Sequence, residues 1–242
     1  MMSVPRMPTR RDSSRLSGGS RLGSRLRAAM RRLLQARGAP SDDIAQWERR
    51  ARQFGARAVV NLDHSESDLE RVTAGQKEEL YPLFSEHIRV DDRLVVDLGC
   101  GTGRFTPDLA RMTNGQALGL DPIEELLDIA PAAPAVEYRR MSEGRIPLDD
   151  READAIWICL VLGGLCDDVL RATIGEVKRV LRPGGLLFLV ENTTDAADDG
   201  DIWHFRSVAT YQDLFRPIPL THVHDYDDLG ERISVFVGRS AI

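Results

Sequence analysis

From residue 93 onward, apolar runs of strand length alternate with stretches whose apolar positions recur at helical spacing. The runs predict strands near 93–98, 116–120, 135–139, 153–159 and 185–190, with helices near 104–112, 123–130 and 167–181 between them. Such alternation implies a mostly parallel sheet covered by helices on both faces. The last part has another rhythm. Leu220 to Tyr226 alternates in character, and Ile233 to Gly238 is a compact β-branched run. The short turn Asp227-Asp228-Leu229-Gly230 between them predicts an antiparallel hairpin, with Gly230 at positive φ. Upstream, Ser41-Asp42-Asp43 is a helix-start signal, and Asp63 to Ser67 starts a further helix that runs to about His87. Three segments follow: 1–40, a helical cap at 41–92, and an α/β domain at 93–242.

Charge separates the first segment from the rest. Residues 1–40 hold ten arginines and a single acid, Asp12, a balance of +9 in a chain of net charge −6, so the remainder carries −15. Rich in Ser, Gly and Pro, this head buries too little apolar surface to fold alone. Leu22, Leu26, Met30, Leu33 and Leu34 nevertheless allow a basic amphipathic helix over about 20–37. A transit peptide, a nucleic-acid or membrane-surface arm and a plain extension all fit this composition. With 30 Arg against two Lys in the whole chain, a disordered extension is the favoured reading. Cys100, Cys159 and Cys166 are odd in number and form no CxxC or Cys/His pattern. Neither a disulfide framework nor a metal site is expected, and the cytoplasm is the natural compartment. No apolar run is long enough to span a bilayer.

The most informative stretch is Val95-Val96-Asp97-Leu98-Gly99-Cys100-Gly101-Thr102-Gly103. A strand feeding alternating glycines ahead of a helix lets a ligand approach bare backbone. The dinucleotide fingerprint requires glycines at the first, third and sixth positions. Counted from Gly99 the sixth residue is Arg104, and from Gly101 it is Thr106, so a nicotinamide-dependent reductase is disfavoured. A second acid, Asp121, ends the next strand about twenty residues on and precedes Pro122.

Asp97 to Gly103 resembles the first motif of class I S-adenosylmethionine-dependent methyltransferases, and Leu181-Arg182-Pro183-Gly184-Gly185 resembles their turn into the fifth strand. The resemblance covers about residues 93–239. It implies a Rossmann-like, seven-stranded sheet closed by the C-terminal hairpin, with the cap lying over the cofactor. S-adenosyl-L-methionine is the implied cofactor. Asp97, Gly99, Cys100, Gly101 and Gly103 would surround its methionine part, and Asp121 with Pro122 its ribose. Ser142 and Glu143 would meet the adenine, Ser142 standing where relatives carry an acid, and Cys159 would close the fourth strand beside the reacting centre.

Leu160 to Leu165 lacks the His pair, the Asn/Asp-Pro-Pro-Tyr motif and the Pro-Cys pair of other relatives. That favours a small-molecule acceptor, most simply a hydroxyl, over nucleobase chemistry. Hydroxyl methylation needs a base near neutral pKa. Glu191 and His204 are the leading candidates, Glu191 having as its alternative a purely structural carboxylate that fixes a loop amide or Arg206. His222 and His224 alternate on one strand, so they are expected to share a face. Trp47, Phe54, Tyr81 and Phe84 read as packing residues, and Arg71 and Gln76 as contacts for the cofactor carboxylate. Two rival readings stay open: an RNA or protein methyltransferase docking through the Arg-rich head, and a cofactor-binding subunit without catalysis. A homodimer is left open as well.

Overall fold

The computed structural model describes residues 42–65, 68–195 and 203–241. The Arg-rich head, with its expected extension and amphipathic helix, lies outside them. The described chain runs α1 Asp42–Phe54, a 3-10 turn Gly55–Val59, α2 Leu69–His87, β1 Leu94–Leu98, α3 Thr106–Thr113 and β2 Gln116–Asp121. It continues with α4 Glu124–Leu127, β3 Val136–Arg140, β4 Ala153–Cys159, α5 Asp167–Val180 and β5 Leu181–Asn192. The chain ends on α6 Val208–Leu214, β6 Thr221–Asp228 and β7 Glu231–Arg239. The sheet order is β3-β2-β1-β4-β5-β7-β6. β1 to β5 pair in parallel, while β7 is antiparallel to both β5 and β6, as the run pattern predicts. Strand order reverses where β1 meets β2 on one side and β4 on the other. Open α/β sheets bind ligands beyond the strand ends at that switch point.

Buried aromatic packing fixes the sheet against the cap. Trp157 of β4 stacks on Phe188 of β5 at 4.7 Å, and Phe84 of α2 meets Trp157 edge-on at 5.2 Å. Leu80 and Phe84 therefore seat α2 on this face, fully buried. On the other face α5 buries Val169, Leu170, Thr173, Ile174, Val177 and Val180, the stripe expected of an amphipathic helix. Asp167 and Asp168 in its first turn and Lys178 and Arg179 in its last complement the helix dipole. Arg179 also donates to the carbonyls of Ile146 and Leu148, and Glu176 accepts from the Ile146 N–H. These bonds hold the β3–β4 loop against α5.

Three expectations change. The helix near 123–130 shrinks to one turn, α4, because Pro131 forbids continuation and disfavours helical backbone at Ala130. β5 starts at Leu181, directly after α5, and absorbs Arg182 to Gly185 as a register shift against β4, with Gly184 at φ +74°. His222 and His224 do not share a face. A bulge between them pairs His222 with Phe236 and His224 with Val235, consecutive residues of β7 that point to opposite sides. His222 then bonds Asp225, and His224 bonds Glu79 of α2. Gly230 does take positive φ, +87°, and Leu229 beside it also does, at +55°.

Candidate functional site

The end of β1 shapes a narrow cradle. Gly99, Gly101 and Gly103 have φ of +73°, +54° and +71°, values that glycine adopts without steric cost. The Gly99 and Cys100 N–H groups donate to the Leu120 carbonyl at 2.8 and 3.0 Å, tying the loop to the end of β2. A Cβ on Gly101 would lie 2.6 Å from Val59, and one on Gly99 would lie 2.5 Å from Val161. Bare backbone is therefore required on both sides of the loop. Gly103 serves differently: its missing Cβ makes room for Tyr138.

Two carboxylates flank the cradle. Asp121 accepts from the Gly101 N–H at 2.9 Å and the Ile123 N–H at 2.8 Å, which fixes its orientation. Burial pushes its pKa up to about 6 although those two bonds oppose the shift. Asp97 accepts from the Thr106 hydroxyl at 2.6 Å, and burial lifts its pKa to about 7.

Beyond the strand ends lies a cavity of about 360 Å³, within the range of small-ligand sites. Of the residues expected there, Asp97, Gly99, Cys100, Gly101, Asp121, Pro122, Glu143 and Cys159 line it. Gly103 and Ser142 do not. Ser142 is exposed and bridges to Arg145, leaving Met141 and Glu143 to form that wall. Burial raises the Cys159 thiol to about 12, so it lines the site as an apolar group rather than a nucleophile. Leu160, next in sequence and also in the wall, sits at φ +56°, a strained conformation for leucine at the tip of β4.

The expected bases are placed elsewhere. Glu191 is 0% exposed, and its two oxygens accept the N–H groups of Val161, Leu162 and Gly163 at 2.9, 2.6 and 3.2 Å. Burial raises its pKa to about 7, yet it is outside the cavity wall. This corrects the general-base expectation in favour of its alternative, a carboxylate that shapes the loop after β4. Arg206 works on the same loop, donating to the carbonyls of Leu162 and Leu165. His204 is also outside the wall; its N–H bonds the Gly163 carbonyl, and its neighbours Trp203 and Phe205 face the cavity. Trp203 meets Trp47 of α1 edge-on at 6.5 Å, so Trp47 borders the site as well as packing. Among the described residues no group of three metal-ligating side chains occurs.

Several wall residues gave no sequence signal. Asp228 and Glu231 flank the β6–β7 turn and reach the cavity. Asp228 bonds His64 Nε2 at 2.7 Å, and Asn192 donates to Glu231 at 2.9 Å. Burial, then the charge of Asp228, raises the Glu231 pKa. Arg104 enters the wall from the glycine loop and donates to Thr73, Gln76 and the Val59 carbonyl. Gln76 is thus at the site, whereas Arg71 is exposed and paired with Asp68.

Comparison with known proteins agrees with this geometry. Residues 95–185 match the family model described as a methyltransferase domain. An uncharacterized methyltransferase of Mycobacterium tuberculosis is 43% identical over 104 residues, 43% of this chain and 41% of the relative. The chain thus spans about two fifths of that relative's length. The O-methyltransferase cnsE of Penicillium expansum is 25% identical over 194 residues, 77% of this chain and 62% of cnsE. The fold is shared with a SAM-dependent methyltransferase from Aquifex aeolicus, with TM-score 0.55, 19% identity, 73% of this chain and 99% of that one. Sheet order and glycine loop are those of the S-adenosylmethionine-dependent methyltransferase fold, and the match to a methyltransferase domain lies within residues 95–185. The cofactor of that fold fits the residues present: the cradle admits only bare backbone, and Asp121, held by two backbone N–H groups, still has lone pairs for ribose hydroxyls.

Proposed function

We propose that the protein moves a methyl group from S-adenosylmethionine to a hydroxyl oxygen of a small molecule. The observation that carries the reading is the single wall shared by the donor cradle and by Trp203, Phe205, Asn192, Asp228 and Glu231. When bound, the donor supplies an electrophilic methyl on a positively charged sulfur. The chain then has to hold two reactants in line and keep water away. Trp47, Trp203 and Phe205 supply apolar walls for the acceptor. Asp228 takes the role of proton acceptor, oriented by His64, because it faces the cavity and Glu191 does not. Carboxylates at this end disfavour a phosphate-bearing polymer, and the likeness to an O-methyltransferase supports oxygen as the target. A reducing compartment such as the cytoplasm fits the three free cysteines.

Isothermal titration with S-adenosylhomocysteine tests the donor half of the reading. Turnover on a metabolite extract, read as a one-methyl mass gain on an oxygen, tests the acceptor half. Deleting residues 1–40 should leave that turnover intact; a loss of salt-sensitive RNA or protein binding would favour a macromolecular substrate instead.

A further inference from the structure

Asp228 and Glu231 are direct cross-strand partners at the turn end of the β6–β7 hairpin, and both line the cavity. Like charges facing each other across a strand pair are destabilising, so the pair carries a local cost. His64 bonds Asp228 at 2.7 Å and Asn192 donates to Glu231 at 2.9 Å. Among the described residues no Lys or Arg nitrogen comes within 4.0 Å of either carboxylate. Arg232, next to Glu231, points to the other face and bonds Thr193. Arg50, a cation of the same wall, is held by the Ala58 and Val60 carbonyls. Burial and the charges of Asp228 and Asp63 raise the Glu231 pKa against the Asn192 bond, so these acids feel one another.

Asn192 points to a ligand independently of the acids. It is 6% exposed, lies in the wall at the end of β5, and gives its amide nitrogen to Glu231. Its Oδ1 accepts from no donor among the described residues and stays open to the cavity. A buried carbonyl oxygen without a donor is costly until one arrives. Three acceptors side by side, with no donor left among them, are complementary to a group made of donors alone. An ammonium is such a group, with three donors and no acceptor. Trp203 and Phe205 in the same wall supply aromatic faces, to which cations are drawn.

We propose that the acceptor is an amino alcohol: Glu231 and Asn192 Oδ1 hold its ammonium, and Asp228 faces the hydroxyl that is methylated. This rests on the hydroxyl reading above and names its substrate class. Opposed side chains on one face of a strand pair have Cβ atoms about 5 Å apart, so ammonium and hydroxyl stand a few bonds apart in the acceptor. The hydroxyl oxygen gives a lone pair to the methyl carbon as the carbon–sulfur bond breaks toward sulfur, leaving S-adenosylhomocysteine, and its proton passes to Asp228. The ammonium keeps its protons throughout. Glu231 is thus a specificity-determining residue that selects a charge.

For the test, a metabolite extract is passed over a cation exchanger near neutral pH. Retained and unretained fractions are each incubated with the protein and S-adenosylmethionine and read by mass for a one-methyl gain. The O-methylated product should come from the retained fraction. With its parent compound purified, Glu231→Gln should raise KM about 30-fold, on the scale of hydrogen bonds to charged groups, while kcat falls far less. Binding of S-adenosylhomocysteine shows that the variant is folded. Asn192→Ala should raise KM several-fold. N-acetylation of the compound, which removes its charge, should cost wild type as much as Glu231→Gln does, and the variant should treat both forms alike. Product from the unretained fraction alone, or Glu231→Gln with wild-type KM, overturns the proposal and leaves the hydroxyl reading standing. A methyl found on nitrogen, or product from neither fraction, overturns the hydroxyl reading and this one with it.

Discussion

Asp121 at the tip of β2 and Glu191 near the tip of β5 are chemically alike and lead different lives. Both follow apolar strands, both are buried, both accept backbone N–H groups, and burial raises both pKa values. Asp121 uses one oxygen for each of two amides and remains in the cavity wall. Glu191 gathers three amides of one loop and is sealed behind them. A raised pKa at a strand end therefore identifies burial and not a role. What separates a ligand-holding carboxylate from a scaffold carboxylate is whether its remaining lone pairs meet a cavity.

The comparison breaks most sharply under truncation to alanine. Asp121→Ala should weaken S-adenosylhomocysteine binding by about a hundredfold, the loss of two hydrogen bonds to a charged acceptor, and should also lower stability by about 2 kcal/mol, because the Gly101 and Ile123 N–H groups lose their acceptor. Glu191→Ala should act on stability alone. Leaving three buried N–H groups without an acceptor should cost about 3 kcal/mol or more in denaturant unfolding, while cofactor affinity of the folded protein changes little. If Glu191→Ala melts like wild type and loses only turnover, the scaffold role is wrong.

Next in size is Gly101→Val. The new side chain meets Val59 and demands a φ that valine avoids, so cofactor affinity should fall by about tenfold or more in the same titration.

Protonation gives a smaller, signed effect. The folded-state pKa of Asp121 is raised from 3.8 to about 6, so its carboxylate is lost early on acidification. S-adenosylhomocysteine affinity should fall severalfold as pH drops through 6, and Asp121→Asn should flatten that dependence. Stability moves the other way. A folded state that holds protons more tightly than the unfolded chain gains stability as pH falls from about 7 toward the ordinary Glu range near 4.5, so wild type should gain a contribution there that Glu191→Gln lacks. Chemical denaturation at pH 7 and pH 5 measures it. The smallest effect belongs to His204→Ala, expected within about twofold of wild-type turnover, because surface-type changes away from the reacting groups are close to neutral. A large loss would return His204 to the acceptor site.

The geometry of the glycine cradle was readable from the chain because its signals are local. The positions of Gly99, Gly101 and Asp121 follow from the chain path from β1 to β2, and about twenty residues of sequence encode it. The opposite wall of the cavity was not readable. Asp228 reads as a turn residue and Arg104 as a helix-start residue, and neither carries a pattern that announces a cavity. His222 and His224 were misplaced because a bulge inserts one residue and reverses the face of everything beyond it, an event set by pairing with β7.

Alone, the sequence determined the strand and helix alternation, the hairpin, the cradle and the carboxylate opposite it, since backbone angles, periodicity and loop length are properties of neighbouring residues. Tertiary structure decided which buried acids face open space, that Glu191 is sealed by three amides, and that Arg104 meets Gln76 and Asp228 meets His64. Those contacts join residues 28 and 164 positions apart, brought together by packing of the cap and the hairpin against the ends of the sheet.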